Sequence, residues 1–116
     1  MDRQVKQDFI RRIAELNSSQ PSGESILWSR HGISELLNEG WVRSAVERGL
    51  ERSEIIEDYR TITRPLPDCL VIGWIEPDEP FHAVVAIDEP NDRLLIVTVY
   101  KPTASEWEND WQTRKR

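Results

Sequence analysis

The chain has 116 residues and a net charge of −6, with 21 Asp and Glu against 15 Lys and Arg. That balance argues against broad phosphate-backbone binding and against docking on an anionic membrane, both of which rest on clustered basic residues. No run approaches the roughly 20 apolar residues of a membrane helix, and 38% apolar residues with five tryptophans exclude a disordered acidic tail.

Residues 1–17 read as an amphipathic helix, because Val5, Phe9, Ile13 and Leu16 fall on one stripe. The turn formers from Asn17 to Glu24 then read as a linker. Residues 1–25 are thus expected as an N-terminal helical extension that docks on the domain or on a second copy, and residues 26–116 as a single domain. Ser29 is placed to cap a helix over 30–39 that stops at Gly40, and Val42, Ala45, Val46 and Gly49 mark a second helix over 42–49. Residues 50–54 leave helix and turn open. Ile55 to Tyr59 begins an extended stretch and is the candidate fourth strand. Apolar runs over 69–75, 81–87 and 94–100, divided by short loops rich in Pro, Asp and Glu, predict an antiparallel β-meander. Trp107 and Trp111, spaced i, i+4, predict a last helix over 105–114. The expected fold class is α+β: an antiparallel β-meander of three to four strands with helices packed on one face.

Chemistry-bearing residues are few. His31 opens a helix, where the dipole disfavours the imidazolium, so it is either a neutral base or a plain bond to the helix end. His82 lies at the start of a strand, on the face of Val84 and Ala86, and is either a hydrogen-bonded core residue or part of a site. Tyr100 and Thr98 share a face near the end of the following strand, beside His82 if the two strands pair antiparallel. With two histidines and one cysteine at no zinc-like spacing, no metal site is expected. Scattered glycines give no phosphate loop, and no cofactor is expected. The lone Cys69 precludes an internal disulfide, and Met1 to Lys6 lacks the apolar stretch of a signal peptide; both fit a cytoplasmic location.

From Ser29-Arg30-His31 onward the chain resembles domain-of-unknown-function family 4258, a bacterial family. The resemblance runs through His31 to Gly40, Ile55-Ile56-Glu57-Asp58-Tyr59, Pro67 to Gly73, Pro80-Phe81-His82-Ala83-Val84-Val85, Val97-Thr98-Val99-Tyr100-Lys101-Pro102, and then Trp107 and Arg114. It covers about residues 26–114. The chain departs from the family pattern at Glu35 and Glu39, where relatives tend to carry arginines, and in extra length at Leu50 to Ser53. The resemblance implies a RelE-like fold and an endoribonuclease toxin of a type II toxin–antitoxin pair, partnered by an antitoxin protein. In that reading His31, His82 and Tyr100 handle protons, while Arg30, Thr98 and Arg114 contact the RNA. The competing expectation is a non-catalytic interaction module that keeps the fold and associates with a partner, or with itself, through the N-terminal helix.

Overall fold

The structure, a computed structural model, describes residues 1–60 and 64–116. Helix α1 spans Arg3–Ser19 and is capped by Asp2, whose carboxylate accepts the Val5 N–H at 2.9 Å. Helix α2 spans Arg30–Glu39; Ser29 accepts the Gly32 N–H at its start, and Gly40 closes it in the left-handed conformation that glycine adopts without a Cβ clash. Helix α3 spans Arg43–Gly49 and runs into a single 3-10 turn over Leu50–Arg52. That turn resolves the stretch where sequence left helix and turn open.

Among the described residues five strands form one sheet: β1 (Ile26–Trp28), β2 (Glu54–Tyr59), β3 (Asp68–Glu76), β4 (Glu79–Asp88) and β5 (Arg93–Tyr100), in the order β1-β5-β4-β3-β2. The antiparallel meander holds from β2 to β5, but β1 adds to the β5 edge in parallel, so the sheet is five-stranded and mixed rather than an antiparallel sheet of three to four. Three residues are too few to display an alternation, which is why β1 escapes a reading of periodicity. The expected helix over 105–114 does not form. Asp110 accepts the backbone N–H groups of Gln112 and Thr113 at 2.9 and 3.0 Å, a local turn that competes with helical bonding. The segment instead folds as a small hairpin, with a bridge between Trp107 and Arg114 and a Lys115 N–H donated to the Glu106 carbonyl at 2.9 Å.

Cross-strand pairing divides the sheet into two faces. One face carries the rows Ile55–Val71–Ala83–Val99 and Cys69–Val85–Ile96, and it is buried with Phe9, Ile10, Ile13 and Ala14 of α1, Leu36 of α2 and Val46 of α3. Gly49 permits the closest helix–sheet approach: a Cβ there would come within 2.6 Å of the Phe81 ring and 2.9 Å of the Trp74 carbonyl. The opposite face carries the rows Ile72–His82–Tyr100, Glu57–Leu70–Val84–Thr98 and Tyr59–Asp68–Ala86–Leu95. Among the described residues no helix is long and apolar enough to cross a membrane.

The expected stripe of α1 is rotated: Phe9 and Ile13 are buried, Leu16 is half-buried, Val5 is exposed, and Lys6 is buried in its place. The reason lies at the edge of β2, whose outward backbone groups would otherwise invite another strand. Gln7 accepts the Ile55 N–H at 2.9 Å, Arg3 donates to the Ile55 carbonyl, Arg11 to the Ser53 carbonyl at 2.9 Å and Lys6 to the Tyr59 carbonyl at 3.0 Å. Lys6 also donates to the Asp68 carbonyl and pairs with Asp58. Burial works to raise the Asp58 carboxyl, but the hydrogen bond and charge of Lys6 outweigh it and hold the group below its ordinary range. Removing one partner of a buried pair strands the other. Lys6→Met should therefore cost about 3–5 kcal/mol in chemical denaturation, and Lys6→Met/Asp58→Leu should recover most of that loss. Equal stability of Lys6→Met and the unsubstituted chain would contradict this role.

Candidate functional site

The second sheet face is the one with chemistry on it. His82 and Tyr100 are direct cross-strand partners, and the Tyr100 hydroxyl lies 3.2 Å from His82 Nδ1. The other ring nitrogen, Nε2, lies 2.6 Å from the Trp111 carbonyl. A carbonyl only accepts, so Nε2 carries the proton, Nδ1 presents its lone pair, and the Tyr100 hydroxyl donates to it. His82 is 0% exposed. Burial is the largest influence on its imidazole and holds it below the ordinary histidine value; the Trp111 carbonyl and Glu57 pull upward without reversing this. The ring is thus neutral, in one tautomer, with both nitrogens engaged.

What covers His82 is the C-terminal hairpin. Trp107, 1% exposed, stands perpendicular to the imidazole at 4.4 Å between ring centroids, and Tyr100 makes a second edge contact at 5.3 Å. Trp111 adopts φ 60°, a conformation rare for a bulky side chain, in the residue whose carbonyl meets His82. The hairpin is pinned from outside by Arg114, whose guanidinium lies 4.7 Å from the Trp107 ring and donates two hydrogen bonds to Glu57. Tyr59 also donates to Glu57, at 3.1 Å.

Each group is shifted accordingly. The Arg114 hydrogen bond keeps the Glu57 carboxyl below its ordinary range, and the same bond raises Arg114. Burial and the Glu57 hydrogen bond push Tyr59 up to about 12, and burial raises Tyr100. At neutral pH the cluster therefore holds an ionised carboxylate, a guanidinium, two protonated phenols and a neutral imidazole. Beside it lies an open groove of about 430 Å³, lined by Tyr59, Arg64, Pro65, Leu66, Asp68, Val84, Ala86, Leu95 and Val97. A larger depression of about 560 Å³ sits away from this cluster, between α3 and the β3–β4 turn, with Arg48, Arg52 and Trp74 in its lining.

Of the residues singled out from sequence, His82 and Tyr100 touch, and Arg114 reaches the same cluster through Trp107 and Glu57. Thr98 is one row away, paired with Val84. His31 and Arg30 are exposed on the first turn of α2; among the described residues no hydrogen bond, ion pair or ring contact joins them to His82 or Tyr100. Sequence reading missed Glu57 and Tyr59 as site members. Their signal was parity: residues two apart in a strand share a face, and β2 pairs onto β3.

The model of the family described as "Domain of unknown function (DUF4258)" matches residues 28–101, well over half of the chain, and the chain belongs to that family. No curated protein and no solved structure matches it. The matched span contains Glu57, Tyr59, His82 and Tyr100; α1 and the hairpin of Trp107, Trp111 and Arg114 lie outside it.

The His82 shift has a pH signature. A folded value below the unfolded one means stability that is complete above the unfolded histidine value of about 6.5 and is lost as pH falls below it. The melting temperature should stay level from pH 8 to 7 and fall between pH 6.5 and 5. His82→Gln should melt lower at pH 7.5, by the equivalent of about 1–3 kcal/mol for a lost buried hydrogen bond, and should show little slope in that acidic window. An unchanged slope in the variant would assign the acid sensitivity elsewhere.

Proposed function

We propose that the chain is an endoribonuclease of the toxin type, with a RelE-like build, whose centre is the cluster of Glu57, Tyr59, His82, Tyr100 and Arg114. One observation carries this reading: two hydrogen-bonded sets, Tyr59–Glu57–Arg114 and His82–Tyr100, meet at Trp107 beside an open groove. The reaction this set suits is attack of a ribose 2′-hydroxyl on the adjacent phosphate, which breaks the bond to the 5′-oxygen and leaves a cyclic phosphate. The attacking hydroxyl loses a proton and the departing oxygen gains one. Glu57, held ionised, accepts the first. Tyr100 gives the second by turning its hydroxyl from His82 Nδ1 to the departing oxygen, and regains a proton from water. Arg114 uses two of its five N–H donors on Glu57, and the other three, which meet no acceptor among the described residues, can face the charge building on the phosphate. The partner class that goes with this reading is an antitoxin protein, and the expected setting is the cytoplasm.

A second reading, a non-catalytic interaction module, is favoured by one specific feature. His82 is wholly buried with both nitrogens engaged, so no ligand atom touches it while the hairpin is in place. The net charge of −6 suits that reading too. The two separate in one paired experiment, RNA cleavage beside melting temperature. For the ribonuclease, Glu57→Gln, Tyr100→Phe and Arg114→Ala should each lower cleavage about a hundredfold or more, the scale of a positioned acid or base, at a temperature where each variant is still folded. His31→Ala, outside the network, should keep most of the activity. No cleavage of any RNA by the unsubstituted chain, with the same variants shifting only melting, would leave the interaction module as the reading that stands.

A further inference from the structure

We infer that the groove beside the cluster receives a nucleobase of single-stranded RNA, which rests on the ribonuclease reading of the same face. The floor is apolar: Val84, Ala86, Leu95 and Val97 come from the two central antiparallel strands β4 and β5. Such a floor, in a volume of about 430 Å³, is of the size that small ligands fill. Three further features favour a base over another apolar occupant. Tyr59 belongs to both places: its hydroxyl bonds Glu57 of the cluster while its side chain lines the groove, so a ligand lying against it has its next atoms at the carboxylate.

One wall is aromatic and cationic at once. The Arg64 guanidinium sits 5.5 Å from the Tyr59 ring, an arrangement that stacks any flat heterocycle whatever its sequence. Lastly, the rim is polar in both senses. The half-exposed Arg64 pairs with Asp68 through one nitrogen; a guanidinium carries five N–H donors and a carboxylate accepts at two oxygens, so the pair keeps a donor side for a phosphate and an acceptor side for an exocyclic amine. A purely hydrophobic helix or strand from a protein partner would desolvate the Arg64–Asp68 ion pair without adding a polar contact, which is costly.

Row geometry then orders the strand. The cluster row of His82 and Tyr100 and the groove row of Tyr59, Asp68, Ala86 and Leu95 are two steps apart on one face. Successive rows on one face are about 6.6 Å apart. A base seated over Ala86 and Leu95 puts its own ribose near the row of Glu57 and Thr98, one step on, and its 3′-phosphate toward Tyr100 at the next, so the base 5′ of the scissile bond is the one selected.

The test uses binding that needs no chemistry. A 2′-O-methyl RNA tetranucleotide cannot be cleaved by 2′-hydroxyl attack, and an abasic strand of equal length carries the same phosphates. The full chain should bind the base-bearing strand about tenfold or more tightly than the abasic one, the scale of stacking a base on an aromatic side chain. Ala86→Leu, which fills the groove floor, should erase that preference while leaving affinity for the abasic strand unchanged. Leu95→Gln, a milder change at the same floor, serves if Ala86→Leu unfolds. Equal affinity for the two strands overturns the inference, as does a preference that survives both substitutions. So does a groove occupied by a second copy, seen as a molecular size that grows with concentration and shrinks in Ala86→Leu. Cleavage of unmodified RNA is scored separately. Its absence alongside a clear base preference would remove the ribonuclease reading and keep the groove as a base-binding site.

Discussion

An imidazole buried at His82, with a carbonyl on one nitrogen and a phenol on the other, organises one whole side of this molecule. A buried polar ring is tolerable only when its nitrogens are matched, since an unpaired buried donor costs free energy on the order of a whole hydrogen bond. The sheet can match just one of them: Tyr100, directly across on β5, supplies the hydroxyl for Nδ1. The other nitrogen needs an acceptor from outside the sheet, and the C-terminal hairpin brings the Trp111 carbonyl to it. The unusual backbone at Trp111, the Asp110 turn beside it and the Arg114 to Glu57 bonds all follow from holding that carbonyl in place. Because Glu57 answers Arg114, the same clasp that satisfies His82 also assembles the charged part of the cluster.

The two ends of the chain solve related problems. Two parts of the sheet are covered from outside the segment over residues 28–101: the β2 edge and the His82 end of one face. The N-terminal helix closes the β2 edge with four polar side chains, Arg3, Lys6, Gln7 and Arg11, spaced so that successive turns of α1 meet successive backbone groups. The C-terminal hairpin covers the His82 end of the exposed face with Trp107. What stays open is the other end of that face, where Val84, Ala86, Leu95 and Val97 form the groove floor. The fold thus leaves a bounded opening beside the cluster instead of an open apolar sheet, and this is why cluster and groove belong to one account.

Much of this was legible in the residues. The caps at Ser29 and Gly40 mark α2 to the residue, since each is read from local chemistry alone. The apolar runs locate β3, β4 and β5, and their short turns dictate antiparallel neighbours, which puts His82 opposite Tyr100. What failed was information that tertiary contacts supply. Trp107 and Trp111 have helical spacing, yet Trp107 is wanted by the His82 ring and by Arg114, and Asp110 captures the backbone N–H groups a helix would need. Lys6 sits where a stripe predicts an apolar residue because three oxygens of β2 and β3 await its ammonium. Glu57 looks like a solvated strand residue until its partner, fifty-seven positions away in the chain, is known. The strand β1 is too short to announce itself and takes its identity from the β5 backbone.

This side of the molecule rests on the state of one side chain: His82 neutral, protonated on Nε2 and closed off by the hairpin. Nitrogen-15 NMR of the imidazole at pH 7 reads this directly. The expected spectrum shows an Nε2–H that exchanges slowly with water and an unprotonated Nδ1, unchanged by added salt. Protonation at Nδ1, or a ring averaging between tautomers with fast exchange at both nitrogens, would mean that the Trp111 carbonyl does not hold His82, and the cluster as described would not exist.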